Sequence, residues 1–277
     1  MQNWHPETKL ECVFEPKDVS ILLQGVFNKE VDILETIADY RRWGQVILSI
    51  YDNYENLLIC ENILEKYPEV IIVYNNYAAY EEEVRGFSKK FQVHNYYFQV
   101  KTTMKALALV TTPYVVKSRV DHYYSDMNKL IMHGIASDKL VSTSCFVRAF
   151  QHVKFHMSDC LFFGPTEKII RMFELAALHH GVENPEVKIW MPYIVDLAAK
   201  ENLDIKKADV ATYIKFMKNI VTIFCINLHG TYKVKYSSGV YTQIRDDDKS
   251  DEEYFIWGTD FGRNDYPPVK YVASLKN

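Results

Sequence analysis

Four short apolar runs in the first 121 residues, each followed by a stretch of different period, constrain this chain more than any other feature. Val19-Ser20-Ile21-Leu22-Leu23 ends at Gln24-Gly25; Val46-Ile47-Leu48-Ser49-Ile50 ends at Tyr51; Val70-Ile71-Ile72-Val73-Tyr74 ends at Asn75-Asn76. Tyr114-Val115-Val116 leads into Lys117-Ser118-Arg119-Val120-Asp121. Between them, Val31, Leu34, Ile37 and Ala38 recur at helical spacing with Gly44 as a stop. Leu57, Leu58, Ile63 and Leu64 mark a second helix that ends before Pro68, and a third runs from about Thr102 to Val110, ahead of Pro113. Apolar strands alternating with amphipathic helices imply an α/β fold: a Rossmann-like, mostly parallel central sheet with helices on both faces.

Right-handed crossovers put the carboxyl ends of parallel strands on one edge, where such sheets bind ligands. Gln24, Ser49, Tyr51, Asn75 and Asp121 all fall there. In the fourth run, alternation places Lys117, Arg119 and Asp121 on one side of a central strand. Two cations and a carboxylate make a poor core but a good grip for a diphosphate with a divalent cation, Mn²⁺ or Mg²⁺.

The second half is less regular. Leu140 to Val147, Cys160 to Gly164 and Thr222 to Leu228 read as strands. Thr166 to His180 reads as a helix stopped by Gly181, and a further helix starts near Pro185 with a kink expected at Pro192. Residues after Tyr241 are charged and turn-rich; their Asp246-Asp247-Asp248 run reads as a solvated loop rather than a metal site. The chain is read as one domain: a front half over 18–130, a back half over 131–240 and an extension over 241–277.

Several classes are disfavoured. There is no G-x-G-x-x-G after the first run and no G-x-x-x-x-G-K-[ST], which argues against a dinucleotide fold and a P-loop. A net charge of -4 provides no field for nucleic acid. Five scattered cysteines without a C-x-x-C suggest reduced thiols in a cytoplasmic protein. No apolar run reaches the ~18 residues that span a bilayer, so any membrane association is expected to be peripheral.

The order of pieces also resembles the WavE-type glycosyltransferases associated with lipopolysaccharide synthesis, and related viral sequences. The matching pieces are Ser20 to Gly25, Val46 to Tyr51, Asn95 and Gln99 with Thr102-Thr103, Tyr114 to Asp121, Phe155-His156-Met157-Ser158-Asp159 with Phe163-Gly164, and Pro185-Glu186 with Trp190. They cover roughly residues 18 to 195. Tyr51 stands where that family usually has Trp, and Asp121-His122-Tyr123 lacks the second carboxylate of a D-x-D.

The resemblance implies a GT-A domain moving a sugar from a nucleotide donor, usually UDP-linked, to a glycan acceptor. Gln24 and Gly25 would lie near the base or ribose, with Ser49, Tyr51 and Asn75 around the nucleoside. Asn95 and Gln99 would bond donor groups. Lys117 and Arg119 would meet phosphates or fix Asp121, the main metal ligand, with His229 as a late one. An inverting transfer needs a carboxylate base. Asp159 and Glu186 both qualify, with Asp159 preferred; His156 would bind acceptor or support Asp159. The alternatives are a sugar-phosphate nucleotidyltransferase and a non-catalytic nucleotide-sugar or glycan-binding domain.

Overall fold

The computed structural model describes residues 15–27, 31–84, 91–124, 127–143, 154–179, 184–224, 234–236, 239–241 and 271–272. In chain order its elements are β1 (Val19–Gln24), α1 (Ile33–Tyr40), β2 (Gln45–Tyr51), α2 (Tyr54–Lys66), β3 (Ile71–Asn75), α3 (Tyr77–Val84), α4 (Phe91–Leu107) and β4 (Tyr114–Arg119). Then come β5 (Tyr123–Tyr124), α5 (Met127–Ser137), β6 (Leu140–Thr143), β7 (Phe162–Pro165), α6 (Thr166–Ala177), α7 (Pro185–Lys200), α8 (Val210–Ile220) and β8 (Val221–Phe224). Short strands β9 (Val234–Tyr236), β10 (Gly239–Tyr241) and β11 (Tyr271–Val272) complete the order.

One sheet of seven strands runs β3-β2-β1-β4-β7-β6-β8. Every pairing is parallel except the two made by β7, which runs against β4 and β6. Strands of both sequence halves therefore share this sheet. A second sheet, β11-β10-β9-β5, is joined to the first through the turn after β4.

Both faces of the large sheet are covered. On one, Leu22, Ile47, Val115 and Phe162 pack with Val100 of α4, Phe173 of α6, Trp190 of α7 and Tyr213 of α8. On the other, Ile21, Leu23, Leu48 and Val116 pack with Ile37 and Tyr40 of α1, Ile63 of α2 and Leu130 of α5. All six residues of β1 are buried because helices seal it above and below, which is why its sequence does not alternate.

Gly44 does more than stop a helix. A Cβ there would run into the Val19 carbonyl, so its lack of a side chain lets the α1–β2 turn press on β1. Gly134 likewise lets α5 lie on the Phe163 ring. Pro192 sits inside α7 without ending it. The Pro removes the N–H that would bond the Lys188 carbonyl; the Tyr96 hydroxyl donates its proton to Ala176 O at 2.5 Å and lies 3.5 Å from that carbonyl.

Three helices, α3, α5 and α8, have no counterpart in the sequence reading, and α4 begins well before Thr102. Among the described residues no helix is long and apolar enough to cross a membrane.

Candidate functional site

The sheet order reverses between β1 and β4: the chain steps outward from β1 to β2 and β3, then returns to lay β4 on β1's other side. In open α/β sheets the carboxyl ends beside such a reversal splay apart and leave a crevice. Gln24 ends β1, Arg119 ends β4, and the two are direct register partners. Lys117 is paired with Leu22 two residues further in, so Lys117 and Arg119 share a face. Gly25 follows at φ 135°, a backbone state that L side chains rarely adopt.

Asp121 lies past the strand, in the turn 120–121, and returns to β4 through Arg119. Arg119 Nε donates to Asp121 Oδ1 at 2.8 Å, and a terminal guanidinium nitrogen donates to Oδ2 at 2.7 Å. This bidentate geometry is the strong form of the pair. Burial alone would raise the Asp121 pKa, but the Arg119 hydrogen bonds and charge outweigh it and hold the carboxyl below its usual range. The Arg119 side chain is 39% exposed against 10% for Asp121, so the guanidinium forms the outer lid of the pair.

His122 is buried beside them. Burial first, then the Arg119 charge, depresses its pKa to about 4, so the ring is neutral at pH 7. Its Nδ1 lies 3.0 Å from the Tyr124 hydroxyl and its Nε2 4.0 Å from Asp121 Oδ1. Tyr124 N in turn donates to the Tyr40 hydroxyl of α1 at 2.7 Å. His122 is not among the residues that the sequence assigns a role; its place directly after Asp121 is the available signal.

Lys117 does not reach the crevice. It is fully buried, and its Nζ donates to the backbone carbonyl of Asp159 at 2.7 Å. Burial depresses its pKa to about 8, with the Asp159 charge pulling the other way. Asp159 is in reach because β7 is antiparallel: the segment entering it arrives at the carboxyl end of β4. Gln99 Nε2 of α4 donates to Asp159 Oδ2 at 3.2 Å and to its carbonyl at 3.3 Å, and Cys160 Sγ lies 3.3 Å from Oδ1. Asp159 also acts electrostatically on Arg119 and His122. Lys117, Arg119, Asp121, His122, Asp159 and Gln99 thus form one polar cluster.

The β2–β3 corner is different. Ser49 Oγ donates to Thr102 O at 2.7 Å, and Asn75 Nδ2 donates to Ser49 Oγ, Ile50 O and Val73 O at 3.0, 2.9 and 3.2 Å. Tyr80 donates to Asn75 Oδ1 at 3.3 Å. The Tyr51 ring meets Tyr77 and Phe98 edge-on at 5.2 and 6.0 Å. Ser49, Tyr51 and Asn75 therefore knit β2, β3, α3 and α4 together.

Among the other expected residues, Asn95 and Gln99 lie within α4, Asn95 exposed. His156 is buried in the segment before β7. Glu186 is in the first turn of α7. His229, the Asp246–Asp248 run, Cys12, Cys145 and Cys225 lie outside the described residues; Cys60 and Cys160 are buried free thiols.

Among the described residues no group of three or more His, Cys, Asp and Glu side chains is arranged to hold a metal ion. A hard cation can make do with one protein carboxylate when a diphosphate and water supply its other oxygens. Asp121 fits that case once Arg119 yields an oxygen. Beside this edge, a cavity of about 400 Å³ opens between α1 and α2, lined by Val26, Phe27, Ile33, Asn53, Asn56 and Ile59 among others.

No protein-family model matches the chain, and no curated protein matches it. Among solved structures, HddC from Yersinia pseudotuberculosis is similar at 13% identity and a TM-score of 0.38, over 76% of this chain and 90% of that one. Glucosyl-3-phosphoglycerate synthase from Mycobacterium tuberculosis, in complex with Mn²⁺, UDP and glucosyl-3-phosphoglycerate, is similar at 14% and 0.42, over 80% of this chain and 76% of that one. The same synthase with Mn²⁺, UDP and phosphoglyceric acid gives 13% and 0.41, over 75% and 68%. At that level of likeness the chemistry has to be read from the side chains themselves.

Proposed function

We propose that the chain is a glycosyltransferase that takes a sugar from a nucleotide-sugar donor, UDP-linked by preference, and passes it to a glycan hydroxyl. The observation that carries this reading is the meeting, at one strand-order reversal, of a partly exposed cation, a buried carboxylate and a second carboxylate on a different segment. The first two are Arg119 and Asp121; the third is Asp159.

Arg119, exposed enough to swing, turns from Asp121 to the donor diphosphate. Asp121 would hold a divalent cation, Mn²⁺ or Mg²⁺, whose charge would stabilise the departing nucleoside diphosphate. Gln24 and Gly25 line the approach, and the cavity between α1 and α2 takes the base. Asp159 removes the proton from the acceptor hydroxyl as the new bond forms at the anomeric carbon, giving an inverting outcome. An acceptor of the lipopolysaccharide type rests on the sequence resemblance.

The test is a panel of UDP-glucose, UDP-galactose, UDP-N-acetylglucosamine, GDP-mannose and CMP-sialic acid, each with and without Mn²⁺. Metal-stimulated release of a nucleoside diphosphate is expected, with Asp159→Asn still binding UDP but turning over about 100- to 10,000-fold more slowly. Pyrophosphate release from a nucleoside triphosphate and a sugar phosphate would instead make the chain a nucleotidyltransferase. Ligand-induced stabilisation without turnover would make it a binding domain.

A further inference from the structure

The segment that carries Asp159 is held far more tightly than a loop needs to be. Residues 155–160 are all buried, and five side chains from five elements grip the stretch. Gln99 of α4 bonds the Asp159 carboxylate and carbonyl, and Lys117 of β4 bonds that carbonyl. Ser142 Oγ of β6 accepts from Ser158 N at 3.2 Å, and Trp190 Nε1 of α7 donates to Ser158 O at 3.0 Å. The Tyr213 hydroxyl of α8 accepts from Phe155 N at 2.7 Å. Phe155 itself sits at φ 65°, a strained state for a bulky residue that persists only where its surroundings over-determine it.

Lys117 is the unexpected member. Among the described residues a single carbonyl is its hydrogen-bond acceptor, and its Nζ lies 5.4 Å from the centre of the Phe162 ring. Burying an ammonium without a bonded carboxylate costs stability, and a neutral donor would satisfy one carbonyl more cheaply. A fold keeps such a group where function outweighs the cost. From its place in the sheet the ammonium fixes the Asp159 backbone, while Gln99 sets the direction of the carboxylate.

We propose that Lys117 and Gln99 are positioning residues: they clamp the 158–159 turn so that the Asp159 carboxylate faces the crevice between β1 and β4. The clamp rests on the reading of Asp159 as the base. It assigns Lys117 to the catalytic carboxylate rather than to the donor phosphates, and Gln99 to the protein rather than to the donor.

The experiment compares Lys117→Met, Gln99→Met and Asp159→Asn in the full chain, by thermal unfolding, UDP affinity with Mn²⁺, and UDP release from the panel donor that the wild type turns over fastest. Lys117→Met is expected to keep or raise the melting temperature, keep UDP affinity within about threefold, and lower kcat about 10- to 100-fold. A merely structural lysine would lower the melting temperature along with kcat. A phosphate-binding lysine would lower UDP affinity. Either result, or unchanged kcat, overturns the clamp. If Lys117→Met does not fold, Gln99→Met decides by the same criteria. Full turnover in Asp159→Asn removes the base and the clamp with it; a dead Asp159→Asn beside a fully active Lys117→Met removes the clamp alone.

Discussion

Two polar corners occupy the same edge of one sheet and are built on opposite terms. At the ends of β2 and β3, Ser49 and Asn75 are neutral, fully buried and bonded to backbone and to each other. At the ends of β1 and β4, Lys117, Arg119, Asp121 and Asp159 are ionisable, Lys117 and His122 titrate far from their usual ranges, and the outermost guanidinium is partly in solvent. Strand-end polarity is therefore not one signal. Neutral amides and hydroxyls satisfied internally hold elements together, whereas the charges buried at a cost are the groups that the proposed donor site draws on.

The contrast is broken most decisively by exchanging roles. Asn75→Ala leaves the Ser49 hydroxyl and two backbone carbonyls without their donor, and should lower stability by about 2–3 kcal/mol. UDP affinity of the folded fraction should stay within about twofold. Asp121→Asn should do the reverse, abolishing Mn²⁺-dependent UDP binding while shifting stability by only about 1–2 kcal/mol. Urea unfolding and titration calorimetry on both variants check the pair. An Asn75 variant that stays stable but loses UDP would move the site to the β2–β3 corner.

A second separation comes from pH. With its pKa depressed to about 8, buried Lys117 penalises folding whenever it must carry a proton. Below pH 8 both folded and unfolded chains are protonated there and the penalty is complete. Between pH 8 and the ordinary lysine range the folded chain releases the proton first, so stability should rise with pH by roughly 3 kcal/mol in all. Lys117→Met should lose that rise. A wild type whose denaturant midpoint falls steadily from pH 8 to 10 would show the lysine to be exposed rather than buried.

The alternation of apolar runs made the parallel core of the fold legible, because strands sealed on both faces leave continuous apolar sequence. It did not reveal α3 or α5. Tyr77-Ala78-Ala79-Tyr80 carries only a faint apolar stripe, and Met127 to Ser137 packs its small Gly134 on Phe163, a contact that no periodicity announces. At the site, Arg119 and Asp121 could be read from spacing as partners. Lys117 could not be assigned, because its acceptor is a backbone carbonyl 42 residues on. That contact exists because β7 runs antiparallel, and strand direction is not written in local sequence. No role for His122 is legible in the sequence, because a neutral, buried histidine differs from a surface one only in its surroundings.

A smaller effect sharpens the charged corner. Arg119→Gln leaves Asp121 buried without its bidentate partner, yet the exposure of Arg119 means that solvent already screens the pair. The loss should be about 1–2 kcal/mol, below the 3–5 kcal/mol of a fully buried ion pair. Adding Asp121→Asn should recover most of it, and a double-mutant cycle by urea unfolding measures the coupling. Because Arg119 occupies both Asp121 oxygens, Arg119→Gln should also bind Mn²⁺ alone more tightly than the wild type does. Equal affinity would mean that the guanidinium and the cation do not compete for Asp121.

The smallest effect belongs to Tyr51. Its ring is held edge-on by Tyr77 and Phe98, and burial above all pushes its hydroxyl pKa up. Removing the hydroxyl in Tyr51→Phe leaves the aromatic packing in place, so stability should move by no more than about 0.5 kcal/mol and UDP affinity by less than about twofold. The phenylalanine change is the informative one, since truncation to alanine would collapse the aromatic cluster and confuse packing with binding. A fivefold loss of UDP affinity at unchanged stability would place the hydroxyl on the nucleotide. The two corners of the sheet edge would then be parts of a single site, and the division between holding the fold and handling the ligand would run through the side chains of β2 rather than between β2 and β4.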